Sequence, residues 1–223
     1  MRLRSVLVTA VAVAATVVPV GGNASATLGT CSIVAPTKVV LDRPLVEVPY
    51  RLAGDCAIAG AVYASWDVVH PTDGVAGGLT FGATTSDAWD LYDWRGPARY
   101  TVRPWSALDV NSALLTQNAP STTVKLGSRL TATTTRSAGR LTFDAFASQY
   151  SPTTGGWYRR PRVNVSVMHR ASGATAWTWV KAAPTGSTGR VTLSIVPKSG
   201  SYRLMVKETD TVWAGYSSTV AGG

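Results

Sequence analysis

Apolar residues recur at every second position in short runs along most of this chain. Val46, Val48, Tyr50 and Leu52 share one side of such a run, with Glu47, Pro49 and Arg51 opposite. Val62, Ala64, Trp66 and Val68 repeat the scheme, as do Leu79 with Phe81 and Tyr100 with Val102. Further on, Leu141, Phe143 and Ala145 alternate with Thr142, Asp144 and Phe146. Val163, Val165 and Val167 alternate with Asn164, Ser166 and Met168. Val191, Leu193 and Ile195 follow, then Tyr202, Leu204 and Val206. A period of two marks strands that bury one face, and no long run keeps the helical period. Gly, Pro, Asp and Ser clusters separate the runs, at Asp42 to Pro44, Pro71 to Gly78, Arg95 to Pro97, Pro152 to Gly156 and Ser199-Gly200. Short alternating strands with this punctuation predict an all-β fold of the sandwich type.

The first 26 residues read differently. Arg2 and Arg4 precede an apolar stretch from Val6 to Val18, and Ala24-Ser25-Ala26 fits a small-x-small cleavage site. Residues 1–26 are therefore expected to be a signal peptide. The remaining 197 residues suit two sandwiches of about 100 residues each. The polar segment Gln117 to Thr123, which holds Pro120, is the expected boundary, giving domains 27–120 and 121–223. No later run approaches the roughly 20 apolar residues of a membrane-spanning helix. The expectation is a secreted, extracellular, monomeric protein with no membrane insertion. Cys31 and Cys56, the only cysteines, are expected to form one disulfide in an exported chain.

Two segments share a further pattern, Gly96-Pro97-Ala98-Arg99-Tyr100-Thr101-Val102 and Gly200-Ser201-Tyr202-Arg203-Leu204. A turn glycine, then Tyr, then an inward aliphatic residue predicts a tyrosine corner, in which the phenol bonds back to nearby backbone. Leu141 to Val220 resembles the bacterial immunoglobulin-like repeats of secreted proteins from high-GC Gram-positive bacteria. The resemblance rests on VNVSVMHRASGATAWTWVK (Val163 to Lys181) and STGRVTLSIVPKSGSYRLMV (Ser187 to Val206). ASWDVVHP (Ala64 to Pro71) and AWDLYDWRGPARYTVRP (Ala88 to Pro104) resemble the N-terminal domain of exported proteins of the same kind. It implies two tandem immunoglobulin-like domains and leaves function open, because such modules serve adhesion, spacing and ligand binding alike.

Charge changes the picture. The chain carries +9, but residues 27–120 hold six basic and nine acidic side chains, whereas residues 121–223 hold thirteen basic and three acidic ones. An asymmetry of +10 against −3 concerns association rather than fold.

Catalytic chemistry finds little support. Thr27-Leu28-Gly29-Thr30-Cys31 reads like the TLxTC string of sortases, yet no histidine precedes Cys31. The same stretch is a distant match to a lipobox, and lipidation would orphan Cys56. His70 and His169 stand far apart, and the two glutamates, Glu47 and Glu208, fall in different domains. No G-x-S-x-G or H-E-x-x-H string occurs. Asp87, Asp90 and Asp93 are spaced three apart without the EF-hand pattern, so calcium there depends on loop geometry. The expectation is a non-catalytic module with no cofactor and no metal centre.

The candidate ligand site is Trp157, Tyr158, Arg159, Arg160 and Arg162, following the turn glycines Gly155 and Gly156. Aromatic rings beside guanidinium groups suit phosphate, sulfate or carboxylate polymers. The partner this predicts is an anionic cell-wall polymer or polysaccharide. A protein partner, with the chain as an adhesin-type scaffold, is the alternative.

Overall fold

The computed structural model describes residues 29–54, 56 and 63–222. The signal-peptide expectation and the position of Val62 lie outside the described residues.

The first sandwich contains β1 (Thr30–Val34), β2 (Lys38–Leu41), β3 (Leu45–Gly54), β4 (Tyr63–His70), β5 (Gly74–Phe81), β6 (Ser86–Tyr92), β7 (Ala98–Leu108), β8 (Thr116–Gln117) and β9 (Ser121–Leu126). One sheet runs β6-β3-β1-β8 and the other β2-β9-β7-β4-β5. β2 lies parallel to β9, from Lys38 opposite Thr123 to Leu41 opposite Leu126. The alternating positions seen in the sequence meet between the sheets: Val48, Tyr50, Trp89 and Leu91 from one, Trp66, Val68, Leu79, Phe81, Tyr100 and Val102 from the other. Trp66 is buried, edge-on to Phe81 at 5.8 Å, and its indole N–H donates to the Asn118 carbonyl at 2.9 Å. A buried indole needs such an acceptor. Cys31 and Cys56 form the expected disulfide.

The second sandwich contains β10 (Ser128–Ser137), β11 (Arg140–Ser151), β12 (Gly156–Arg159), β13 (Asn164–Arg170), β14 (Thr178–Pro184), β15 (Arg190–Ile195), β16 (Ser201–Val206), β17 (Gly215–Tyr216) and β18 (Val220–Ala221). In one sheet β11 pairs with β10 on one edge and with both β15 and β12 on the other. The other runs β14-β13-β16, with β17 and β18 on the far edge of β16. Leu141, Phe143 and Leu193 close against Val165, Val167 and Leu204. The fold is two tandem immunoglobulin-like sandwiches. Both tyrosine corners form. Tyr100 donates to the carbonyls of Gly96 at 3.1 Å and Arg95 at 3.3 Å. The Tyr202 hydroxyl accepts from the Lys198 N–H at 2.7 Å.

One boundary moves. A division at Pro120 would give β9 to the second domain. In the structure β9 is hydrogen-bonded between β2 and β7 of the first sandwich, and the chain crosses over at Gly127. Pro120 fails as a marker because a proline is tolerated just before a strand begins, where no N–H donor is required of it; its carbonyl accepts from Val102 N at 2.8 Å.

The two sandwiches are packed together at this crossing. Gly127 donates to Leu41 O and accepts from Tyr150 N. Leu126 bridges to Val212, and the Trp213 indole donates to Val39 O at 2.7 Å. Lys38 and Lys125 lie over the Trp213 ring, and Lys125 also bonds Glu208 at 2.6 Å. Tyr150 is buried and donates to Asp93 Oδ2 at 2.6 Å, which places it in the first domain's core cluster.

Candidate functional site

The five residues of the candidate site begin on β12, a short strand beside the end of β11. Tyr150 stands opposite Trp157, and Ser148 opposite Arg159. Alternation along a strand then divides them: Trp157 and Arg159 share one face, and Tyr158 points to the other. Trp157 is half-buried. It packs against the first domain's core, edge-on to Tyr150 at 6.2 Å. Arg159 is exposed, with its guanidinium 4.0 Å over the Phe146 ring. Tyr158 is exposed on the reverse side.

Arg160 and Arg162 leave this face. The Arg160 backbone is held by Ala147 O and by the Thr185 hydroxyl, at 2.9 and 2.7 Å. Its side chain is half-buried, one guanidinium nitrogen has no hydrogen-bond partner among the described residues, and burial lowers its pKa. Arg162 adopts a left-handed backbone, φ 58°, and donates its N–H to Thr185 O. It is exposed, but in the turn leading to β13.

Other residues take their place. The outward face of this sheet is built in rows. Arg129 on β10 and Arg159 on β12 flank Ser148 on β11. In the next row Thr131 and Arg190 flank Phe146, and then Thr133 and Thr192 flank Asp144. Arg129 lies 4.0 Å over the Trp157 ring. Arg190 lies 5.9 Å from the Phe146 ring and forms a two-pronged ion pair with Asp144, through Nε at 2.7 Å and also through Nη2. That guanidinium holds Asp144 below the usual carboxylate range. Asp144 is thus spent on Arg190. Among the described residues, Arg129 and Arg159 have no carboxylate partner. Aromatic faces hold both guanidinium groups in position without neutralising them.

Of the five residues singled out from the sequence, the structure brings Trp157 and Arg159 together on this face, beside Arg129, Phe146 and Arg190, which the sequence reading did not name for the site. The available signal was Phe146 itself, a large apolar residue on the otherwise polar side of the Leu141–Ala145 alternation. Its arginine neighbours come from strands before and after it in the chain, and one sequence does not reveal that register.

The remaining residues weighed for chemistry do not converge. Asp87 accepts from the backbone of Thr80 and Ala88, Asp90 is exposed opposite Glu47, and Asp93 is buried against Tyr150. Among the described residues, no group of three or more His, Cys, Asp or Glu side chains could hold a metal ion. His70 packs on Tyr100 in one domain and His169 on Tyr202 in the other. Among the described residues, no helix is long and apolar enough to cross a membrane.

No family model matches the chain, and no curated protein matches it. Solved structures resemble it at low identity. A two-domain fibronectin type III segment of chicken tenascin is 15% identical over 82% of this chain and 94% of its own, with TM-score 0.35. Native α2-macroglobulin of Escherichia coli, spanning domains NIE to MG1, is 13% identical over 84% of this chain and 96% of its own, with TM-score 0.32. The fold is defined by the chain's own sheets.

Proposed function

We propose that the chain is an exported, non-catalytic binding module that associates with an anionic polymer of the cell envelope. The observation that carries this reading is the pair of exposed guanidinium groups, Arg129 and Arg159, fixed by aromatic rings and unopposed by any described carboxylate. They lie in one row across three strands, with Arg190 one row away. A polymer bearing repeated phosphate, sulfate or carboxylate groups meets such a row with several contacts at once. The net +10 of residues 121–223 adds a long-range attraction. The resemblance to immunoglobulin-like repeats of exported bacterial proteins agrees with an extracellular address, as does the disulfide.

Retention of the chain on a teichoic-acid column, measured across salt concentrations, tests the reading. Binding through charge releases counterions, so retention should fall steeply as salt rises. The Arg129→Gln, Arg159→Gln double variant should lose about two units of the salt slope while staying folded. Arg162→Gln should leave the slope nearly unchanged. Equal retention of the double variant and the parent would remove this face from the mechanism.

A second reading, protein interaction, is favoured by β14. This edge strand is exposed along nearly its whole length and presents Trp179, 64% exposed, and Val180. Open backbone groups beside exposed apolar side chains are what a pairing partner chain would use.

A further inference from the structure

The first domain carries a separate cleft on the outward face of its β7-β4-β5 sheet. Its volume is about 210 Å³. Tyr63 on β4 and Trp105 on β7 line it, with Ser65, Asp67, Gly78 and Thr80. The position of Trp105 has a local cause. Ser65 faces Ser106 and Trp66 faces Pro104, so Trp105 is the extra residue of a bulge. A bulge re-aims a side chain, and here Trp105 is left 70% exposed. Tyr63 is also exposed.

The rest of the lining is polar and in part sheltered. Ser65 and Asp67 are buried although they stand on the outward side of the sheet. Asp67 Oδ2 accepts from Arg103 Nη2 at 2.7 Å, so the cleft's only carboxylate is already neutralised. Asp67 Oδ1 and the Thr80 hydroxyl have no hydrogen-bond partner among the described residues. A Cβ at Gly78 would meet nothing within 4 Å, so the space above that glycine is open.

We infer that this cleft binds a neutral carbohydrate. Sugar rings offer a C–H face to an aromatic ring and hydroxyl donors around the edge, the two features that Trp105 with Tyr63 and Asp67 with Thr80 would match. The balanced Asp67–Arg103 pair selects an uncharged ligand over an anionic one. The inference is independent of the arginine face in the second domain.

Affinity electrophoresis of the full chain in gels containing soluble neutral polysaccharides tests it, using dextran, hydroxyethylcellulose, glycol chitin at neutral acetylation and mannan as probes. At least one probe should retard the protein, and raising salt should leave the retardation intact. Trp105→Ala should weaken that binding about tenfold, and Tyr63→Ala should weaken it to a similar degree. Trp94→Ala, which removes another exposed indole of the same domain, should bind like the parent. The Arg129→Gln, Arg159→Gln variant should also bind like the parent, which separates this site from the anionic-polymer reading. Near-ultraviolet circular dichroism establishes that the variants are folded. No retardation by any probe, or equal retardation of the Trp105→Ala protein, overturns the inference.

Discussion

Tyr100 shows how one side chain can serve both packing and closure. Its ring fills the first core beside Trp89 at 4.8 Å, and its hydroxyl fastens the turn at Arg95 and Gly96. Burial pushes its pKa up to about 12, against the Arg95 charge and with a smaller push from Asp73. Unfolding returns the phenol to about 10. The unfolded chain therefore releases this proton more easily. The stability tied to Tyr100 is complete below about pH 10 and is lost as pH rises through about 12. Tyr100→Phe should cost about 1 kcal/mol at neutral pH, through the lost hydrogen bond. It should also flatten the alkaline fall in stability, read as the urea midpoint across that pH range. The corner was legible in the sequence because its signal is local: a turn glycine, a tyrosine and an aliphatic residue within a few positions.

At the scale of elements, local pattern and distant pairing part company. Alternation located the strands and their inward faces, since a buried face repeats at every second residue. It did not assign β9, whose inward Val124 and Leu126 would look the same in either sandwich. The deciding feature is the close approach at Gly127. A Cβ there would meet Asp42 Cβ at 3.0 Å, Trp157 Cη2 at 3.1 Å and Val40 Cγ1 at 3.3 Å. Glycine lets β9 pass into β10 directly beneath the Trp157 ring. Gly127→Val should push that ring away from the junction and destabilise the protein by roughly 1–3 kcal/mol. Arg129 would lose its aromatic support in the same step. Urea denaturation followed by Trp fluorescence measures both the midpoint and the altered environment of the ring.

For the whole molecule, the two sandwiches share buried contacts. Tyr150, from the second domain, is buried against Asp93 of the first, and Trp213 reaches back to Val39. These partners are 57 and 174 positions apart in the chain, so no window of sequence could have paired them. They were also the wrong kind of residue to stand out, a tyrosine in an alternating strand and a tryptophan near the C-terminus. Tyr150→Phe leaves the buried Asp93 carboxylate without its donor, at a cost of about 1–3 kcal/mol. Calorimetry of the parent should show a single transition. The variant should show two, as the domains lose the contact that couples them. A single, merely shifted transition would mean that the Trp213 contacts couple the domains unaided.

The disulfide has a mechanical meaning. β2 and β3 lie inside the loop that the Cys31–Cys56 bond closes, and β9 leads out of the same sandwich. A pull toward the N-terminus reaches Cys31 and passes through the sulfur–sulfur bond to Cys56, so it bypasses β2 and β3. The looped strands cannot be drawn out while the bond holds. With the disulfide reduced, the same pull travels along the chain to the leading end of β2, while a pull toward the C-terminus acts on the trailing end of β9. Because these two strands run in the same direction, the hydrogen bonds from Lys38–Leu41 to Thr123–Leu126 are then loaded together in shear, rather than opened one after another like a zip. Reduction would thus lengthen the tether that the first domain can release under tension and shift part of the load onto the β2–β9 seam beside the crossing at Gly127.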